Sequence, residues 1–125
     1  NLISGKIQII YNGSEMPGMV LLELETREKS VLDNNSNTIL MDVREDNEWQ
    51  KGHAKQAIHL SKGILERDIE SVIPEKNLEI IMYCGGGYRS ILTAEISQRM
   101  GYTNVHSLIG GVKAIKNANW ELEES

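Results

Sequence analysis

Short apolar runs alternate along this chain with stretches in which apolar residues return at helical spacing. The patterns predict strands at residues 38–41, 57–60, 77–83 and 105–108, and helices at about 46–51, 65–73, 90–100 and 112–117. The run at 77–83 is typical of a central strand that is covered on both faces. Leu92, Ile96 and Met100 then recur at intervals of four, which predicts an apolar stripe on the following helix. Strands that alternate with helices predict an α/β fold in which a parallel sheet carries helices on both faces.

The N-terminal part of the chain gives weaker patterns. Residues 6–11 are rich in isoleucine and favour an edge strand, and an Asn-Gly-Ser turn follows at 12–14. Residues 19–32 place leucine and valine on one helical face and predict a helix, and residues 33–37 form a polar loop. We assign nothing firmer within residues 1–16.

Length and composition fit one globular domain over residues 1–125, with 40% hydrophobic and 25% charged residues. The net charge of −5 argues against nucleic acid or an anionic membrane as a partner. No apolar run reaches the ~18 residues of a membrane-spanning helix. The chain begins at Asn1 and not at methionine, which indicates a removed leader or an excised domain. We expect a cytoplasmic location, with a periplasmic or secreted one after signal removal as the alternative, and the oligomeric state stays open.

The only cysteine, Cys84, ends the strand predicted at 77–83 and opens a glycine-rich loop. The residues that follow it are Gly85, Gly86, Gly87, Tyr88 and Arg89, and then Ser90. Glycines let backbone amides approach a ligand closely, and successive N–H groups in such a turn form a nest that attracts an anion. The helix that begins near Arg89 or Ser90 adds its positive end. We therefore expect a lowered pKa for the Cys84 thiol, which would make it an activated nucleophile.

The alternative for a lone cysteine is a structural role, because free cysteine is more often a small buried hydrophobe than a nucleophile. The glycines after Cys84 favour the nucleophile, since a structural cysteine needs no glycine loop and glycine costs chain entropy. With one cysteine in the chain, an internal disulfide is excluded.

Four stretches of the chain together resemble the rhodanese sulfurtransferase family. They are the active-site loop from Cys84 to Arg89, the aspartate-valine-arginine signature at 39–45 with Glu48 and Trp49 after it, the glycine-histidine signature at 52–60, and the C-terminal signature at 101–111. Their order and spacing match the family pattern, and the resemblance covers about residues 38–115.

This resemblance implies a fold and an activity. The fold would be a mostly parallel five-stranded sheet in the order 1-5-4-2-3, with the strands that lead to Asp42 and Cys84 adjacent. The activity would be sulfur transfer without a cofactor, in which the Cys84 thiolate takes a sulfane sulfur from thiosulfate or a persulfide and forms a persulfide. The acceptor would be cyanide, a dithiol or a thiol of another protein, and it must come from outside because the chain has no second cysteine.

The resemblance also implies roles for residues around Cys84. The loop amides from Gly85 to Arg89 would stabilise the thiolate and the persulfide. Asp42 caps a turn or orders the loop or Arg89, and the two roles are compatible. Arg44 and Ser90 are further supporting candidates, although a solvated turn is the simpler interpretation of Arg44. For Arg89 we favour a clamp paired with a carboxylate such as Asp42 over direct contact with the donor.

The three histidines of the chain invite a metal interpretation. His53 and His59 flank the strand predicted at 57–60, and no cysteine or acidic cluster joins them at ligand spacing. We therefore expect no metal site, and we expect His53 and His106 to be structural residues.

Two departures from the family pattern bear on the donor. Gly85 stands where many members have a basic or bulky residue, and Tyr88 stands where a small or polar residue is common, so thiosulfate is uncertain as the physiological donor. One alternative function is a cysteine phosphatase or arsenate reductase. The loop of those enzymes has five residues between the cysteine and the arginine, whereas this chain has four, and the residue six positions after Cys84 is Ser90 and not arginine. The other is a non-catalytic rhodanese-like binding or sulfur-sensing module, which would not need Cys84.

Overall fold

The computed structural model describes residues 6–10, 19–23, 28, 31–32, 38–86 and 88–124. Its strands are β1 (Lys6–Ile10), β2 (Met19–Glu23), β3 (Thr38–Asp42), β4 (His53–Ala54), β5 (Ile58–His59), β6 (Glu79–Tyr83), β7 (Val105–Ile109) and β8 (Leu122–Glu123). Its helices are α1 (Asp46–Lys51), α2 (Lys62–Val72), α3 (Tyr88–Arg99) and α4 (Gly111–Asn117). Within these residues, no helix is long and apolar enough to cross a membrane.

Six strands form the main sheet in the order β2-β1-β7-β6-β3-β5, and β4 pairs with β8 in a separate ribbon. Strands β7, β6, β3 and β5 are parallel, whereas β1 runs antiparallel to β7. When β1, β3, β5, β6 and β7 are counted as the five predicted strands, their order is the expected 1-5-4-2-3. Asp42 lies opposite Tyr83 in the pairing of β3 with β6, so Asp42 and Cys84 both lie at the carboxyl edge of the sheet.

The N-terminal predictions need two corrections. Met19–Glu23 is a strand and not the start of a helix, because its whole length pairs with Lys6–Ile10. A run of consecutive apolar residues fits either element, and here the pairing with β1 decides. Since β2 covers the outer side of β1, β1 is not an edge strand. Residues 28, 31 and 32 are helical, and the predicted turn at 12–14 and loop at 33–37 lie outside the described residues.

Apolar side chains cover both faces of the sheet, as predicted. Along β6, Ile80 and Met82 pack into one cluster and Ile81 and Tyr83 into the other, because successive side chains of a strand point to opposite faces. Helices α2 and α3 contribute to the first cluster, and α4 contributes to the second. Cys84 belongs to the first cluster, on the side of the sheet that α3 covers.

Helix α3 turns a largely polar face towards the sheet, which differs from the predicted apolar stripe. Its buried residues are Ser90, Thr93, Ala94, Ser97 and Gln98, whereas the residues of the predicted stripe are half-buried. Thr93 and Ser97 donate their hydroxyl protons to the carbonyls of Ser90 and Thr93, at 3.1 and 2.8 Å. The hydroxyls of Thr93 and Ser97 are thus satisfied inside the helix, which explains how polar residues can replace the expected stripe.

Candidate active site at the end of β6

Cys84 follows β6 directly at the carboxyl edge of the sheet, and only 1% of the residue is exposed. The loop runs on to α3, which begins at Tyr88, just ahead of the predicted start; Gly87 lies outside the described residues. The Cys84 carbonyl accepts a hydrogen bond from the backbone N–H of Val112 at 2.7 Å. The loop is therefore tied both to α3 and to the start of α4.

The sulfur of Cys84 faces a pair of buried hydroxyl groups. Its Sγ lies 3.8 Å from the Oγ of Ser90, in the first turn of α3. The Ser90 Oγ lies 2.8 Å from the Oγ of Ser107 on β7, and both serines are at most 1% exposed. The sulfur thus lies beside the N-terminus of a helix of 12 residues, where the helix dipole and unpaired N–H groups favour negative charge.

Arg89 is held by Glu48 of α1 and not by Asp42. Its Nη1 and Nη2 donate to the two carboxylate oxygens of Glu48 at 2.7 and 3.0 Å, with about a third of each side chain exposed. The Arg89 guanidinium lowers the pKa of Glu48 to about 2 against the opposing effect of burial. Glu48 in turn raises the pKa of Arg89, with a smaller contribution from the Cys84 sulfur. The predicted arginine–carboxylate clamp is present with a different carboxylate.

Asp42 holds Arg44 instead, in a buried ion pair. The Arg44 Nη2 lies 2.8 Å from Asp42 Oδ2, the Nε lies 3.1 Å from both carboxylate oxygens, and the Arg44 backbone N–H donates to Oδ1 at 2.9 Å. Arg44 is 6% exposed, so the expectation of a solvated turn is wrong. Asp42 also faces Tyr83, whose pKa is raised by burial and then by the Asp42 carboxylate. Asp42 therefore lies on the face of the sheet opposite Cys84, and its carboxylate is paired with Arg44.

These elements can be compared with known proteins. The model of the rhodanese-like domain family matches residues 25–118 of the chain. The chain belongs to the rhodanese-like domain family. It is 35% identical over 75 residues to the thiosulfate sulfurtransferase PspE of Escherichia coli (strain K12), which covers 60% of this chain and 71% of PspE.

This rhodanese-like chain is also similar to one longer relative and to one shorter chain of known structure. It is 28% identical over 110 residues to the tRNA uridine(34) hydroxylase of Buchnera aphidicola subsp. Baizongia pistaciae (strain Bp), over 84% of this chain and 35% of the hydroxylase. The chain thus spans about a third of that relative's length. A solved structure described as a rhodanese with anions from E. coli superposes with a TM-score of 0.63 and 30% identity, covering 70% of this chain and 99% of that one.

Aromatic stacking beside the buried ion pair involves two of the three histidines. The Trp49 ring stacks on His53 at a centroid distance of 3.4 Å and on His59 at 4.8 Å. The His53 Nδ1 lies 2.9 Å from the Ala54 carbonyl, and the His59 Nε2 lies 2.7 Å from the Arg44 carbonyl. These contacts fit the structural role expected for His53.

His106 is the second residue of β7, and only 1% of it is exposed. Its Nε2 is 2.9 Å from Glu79 Oε2 on the neighbouring strand β6, which fits the expected structural role. In the described part of the chain, no three histidine, cysteine, aspartate or glutamate side chains group together as metal ligands would.

Gly111 is a residue of the rhodanese-like site that the sequence analysis did not single out. Its φ of +56° lies in the left-handed region, and a β-carbon there would clash with the Cys84 carbonyl oxygen and lie 2.7 Å from that of Gly85. The sequence shows a Gly-Gly pair at 110–111, at the end of the C-terminal signature, but nothing in it reveals a contact with the cysteine loop. Glu48 and Ser107 were likewise missed as partners of Arg89 and Ser90.

The remaining loop residues differ in what surrounds them. A β-carbon on Gly85 would lie 3.2 Å from the Arg89 Nη2, so a side chain there would press on the ion pair with Glu48. A β-carbon on Gly86 would meet nothing within 4 Å, and 73% of Tyr88 is exposed. Positions 86 and 88 are therefore open to an approaching molecule, whereas Arg89 leaves little room for a side chain at position 85.

Proposed function

We propose that this rhodanese-like domain is a sulfurtransferase that carries sulfane sulfur as a persulfide on Cys84. The observation that carries the proposal is the position of the Cys84 sulfur, which lies at the carboxyl end of a central strand and 3.8 Å from Ser90 Oγ at the start of α3. This is a position in which a helix N-terminus and hydroxyl and amide donors stabilise an anionic sulfur.

In the first half-reaction, the Cys84 thiolate attacks the outer sulfur of thiosulfate or of a persulfide donor. A new S–S bond forms to Cys84 while the S–S bond of the donor breaks. The leaving group, sulfite or a thiolate, takes the bonding electron pair, so no external oxidant or reductant is needed. The Ser90 hydroxyl and the loop amides, including those of Gly85 and Gly86, stabilise the negative charge before and after the transfer.

In the second half-reaction, a thiolate or cyanide attacks the outer sulfur of the persulfide, and Cys84 leaves as the thiolate. The products are an acceptor persulfide or thiocyanate and the free enzyme, which predicts ping-pong kinetics. The acceptor is a separate molecule because Cys84 is the only cysteine of the chain.

Arg89 acts mainly by holding the loop. Both terminal nitrogens of its guanidinium are bonded to Glu48, which fixes the start of α3 against α1. Its positive charge still favours the thiolate, because the two groups interact electrostatically. Asp42 and Arg44 support the neighbouring strand end from the other face of the sheet.

The names of the relatives guide the choice of donor and partner. PspE, a thiosulfate sulfurtransferase, supports thiosulfate as the first donor to test. A persulfide donor is the second, because Gly85 supplies no positive charge for a sulfonate group. The likeness to tRNA uridine(34) hydroxylase does not change the proposal, since a net charge of −5 disfavours direct contact of this chain with RNA.

The proposal is tested by measuring the intact mass of the protein after incubation with thiosulfate or with glutathione persulfide. Wild type should gain ~32 Da, one sulfur on the nucleophile, and release it when cyanide or a dithiol is added. The Cys84→Ser variant should gain nothing. A wild-type protein that takes up sulfur from neither donor would contradict the proposal and favour a binding module.

A further inference from the structure

A cleft with a volume of about 570 Å³ lies between the end of α1, the end of α4 and the strand β8. Small-molecule binding sites in proteins have volumes of this order. Six charged side chains line it, three of them basic and three acidic: Arg44, Lys51, Lys116, Glu48, Glu123 and Glu124. We call it the α1–β8 cleft, and its mixed charge limits which molecules it can hold.

The α1–β8 cleft borders the cysteine loop. Glu48 lines the cleft, and both of its carboxylate oxygens are bonded to Arg89. A β-carbon on Gly85 would lie 4.0 Å from Glu48 Oε2, and the Arg89 guanidinium interacts electrostatically with the Cys84 sulfur. A molecule in the cleft therefore lies next to the ion pair that holds the loop.

Arg44 brings a buried guanidinium to the cleft. Only 6% of the residue is exposed, and its Nε and Nη2 are held by Asp42 and, for Nη2, also by the Gly52 carbonyl at 2.6 Å. Within the part of the chain that the structure describes, the third nitrogen, Nη1, has no hydrogen-bond partner. A guanidinium that is already fixed in place loses little entropy when it binds a carboxylate. Arg44 thus offers a fixed donor to a ligand with a carboxylate group.

Four exposed side chains surround this donor with charges of both signs. Lys51 and Lys116 lie in the last turns of α1 and α4, Glu123 lies in β8, and Glu124 follows it. Among the described residues, none of these four takes part in an ion pair. A plain anion would be attracted by the lysines but repelled by the two glutamates and by the net charge of −5. A molecule that carries both a carboxylate and an ammonium group matches both signs.

We propose that the α1–β8 cleft binds the amino-acid part of a small thiol or persulfide. Arg44 Nη1, Lys51 and Lys116 receive its carboxylate, and Glu123 and Glu124 receive its ammonium group. Glutathione and its persulfide are compounds of this class. The role of such a compound as sulfur donor or acceptor rests on the proposed function, whereas its binding in the cleft does not.

Binding is tested by NMR titration with S-methylglutathione, which has the carboxylate and ammonium groups but no thiol that could react. Wild type should show shifts at the backbone amides of Gly52 and Leu122, which line the cleft. Lys51→Gln/Lys116→Gln should raise Kd about tenfold, because an exposed ion pair contributes a factor of up to about five. Lys113→Gln removes an exposed lysine of α4 that does not line the cleft, and it should keep the wild-type Kd.

The ammonium group is tested with N-acetyl-S-methylglutathione, in which its charge is removed. Wild type should bind this probe about fivefold more weakly than S-methylglutathione, whereas Glu123→Gln/Glu124→Gln should bind the two probes equally. The substituted side chains are all exposed, so these variants should fold. An absence of shifts at the cleft, a Kd that the lysine changes do not alter, or a wild type that binds both probes equally would each overturn the proposal.

The role in sulfur transfer is measured as the ratio of kcat/KM for glutathione persulfide to kcat/KM for thiosulfate. This ratio should fall about tenfold in Lys51→Gln/Lys116→Gln and keep its wild-type value in Lys113→Gln. If S-methylglutathione binds as expected to a protein that takes up sulfur from neither donor, the binding site stands and the proposed function fails. If glutathione persulfide loads Cys84 and the lysine changes leave the ratio unaltered, the proposed function stands and the role of the cleft in it is wrong.

Discussion

Gly111 lies against the backbone of Cys84, at the point where the turn before α4 meets the cysteine loop. A β-carbon at position 111 would clash with the Cys84 carbonyl oxygen, and the next residue, Val112, donates its N–H to that same oxygen at 2.7 Å. The turn after β7 therefore fixes where the strand β6 delivers its cysteine. Only glycine combines the positive φ with the missing side chain that this contact requires.

We predict that Gly111→Ala displaces the cysteine loop and lowers sulfur transfer about a hundredfold, since errors near 1 Å in a reacting group have that effect. The measurement is kcat/KM for sulfur transfer to cyanide, together with a thermal melt. Gly101→Ala is the matched control, because Gly101 has a φ of +101° but its β-carbon would contact only the Lys76 side chain. The control should lose stability and keep its activity. Equal activity in the two variants would contradict the role of Gly111.

The Arg89–Glu48 pair predicts a specific pH dependence of stability. The pKa of Glu48 is lowered from 4.5 to about 2 by Arg89, so the charged form is favoured in the folded state. The contribution of the pair is therefore fully present above 4.5 and is lost as the pH falls from 4.5 towards 2.

We expect Glu48→Gln to be less stable than wild type at neutral pH and to approach it in acid, measured by urea unfolding at several pH values. The variant should also transfer sulfur more slowly, because Arg89 loses its partner. Asp68→Asn is the control, since the Arg67–Asp68 pair is exposed and such pairs contribute little. A difference between Glu48→Gln and wild type that stays constant down to about pH 2 would argue against this ion pair as its source.

The Asp42–Arg44 pair predicts a larger effect on stability. Asp42 is fully buried, and removal of its charge leaves the Arg44 guanidinium without its anionic partner. Asp42→Asn should destabilise the protein by ~3–5 kcal/mol, which is typical of a broken buried pair. Glu121→Gln, which breaks the exposed pair with Lys55, should change the unfolding free energy by less than about 1 kcal/mol. A similar loss of unfolding free energy in the two variants would contradict the larger contribution expected of the buried Asp42–Arg44 pair.

The predictions from sequence succeeded where the pattern along the chain is local. The apolar run before Cys84 was sufficient to place β6. The helix predicted at about 46–51 has these same bounds in the structure, where Glu45 and Glu48 form a capping box at its start. The glycines after Cys84 and the helical spacing that follows them likewise predicted the cysteine loop and the approximate start of α3. The match to the family model agrees with the resemblance of these stretches.

The errors concern relationships between elements that are distant in the sequence. The partner of Arg89 depends on how α1 packs against the cysteine loop, which the sequence does not show. Asp42 at the end of β3 and Glu48 shortly after it are both carboxylates, so either could have been the partner. Met19–Glu23 reads equally as helix or strand until β1 is present to pair with it. Ser107 gives no signal in the sequence, because one serine in a short strand is compatible with ordinary alternation.

The length of the cysteine loop separates sulfur transfer from phosphoryl chemistry. Four residues stand between Cys84 and Arg89. A phosphoryl group carries three oxygens that need amide donors and a bidentate guanidinium, and here both terminal nitrogens of Arg89 are bonded to Glu48. We therefore predict sulfur transfer by the wild type and no turnover of aryl phosphates.

An inserted glycine between Gly86 and Gly87 tests this relationship directly. The longer loop should misplace the amide donors around the Cys84 sulfur and lower sulfur transfer roughly a hundredfold. It also gives the loop the five intervening residues of the phosphatase type, so weak phosphate binding is expected to appear. Both substrates are assayed on wild type and on the insertion variant, with Cys84→Ser as the blank. If wild type hydrolysed an aryl phosphate and took sulfur from neither thiosulfate nor a persulfide, loop length would not govern the choice of chemistry and the proposed function would be wrong.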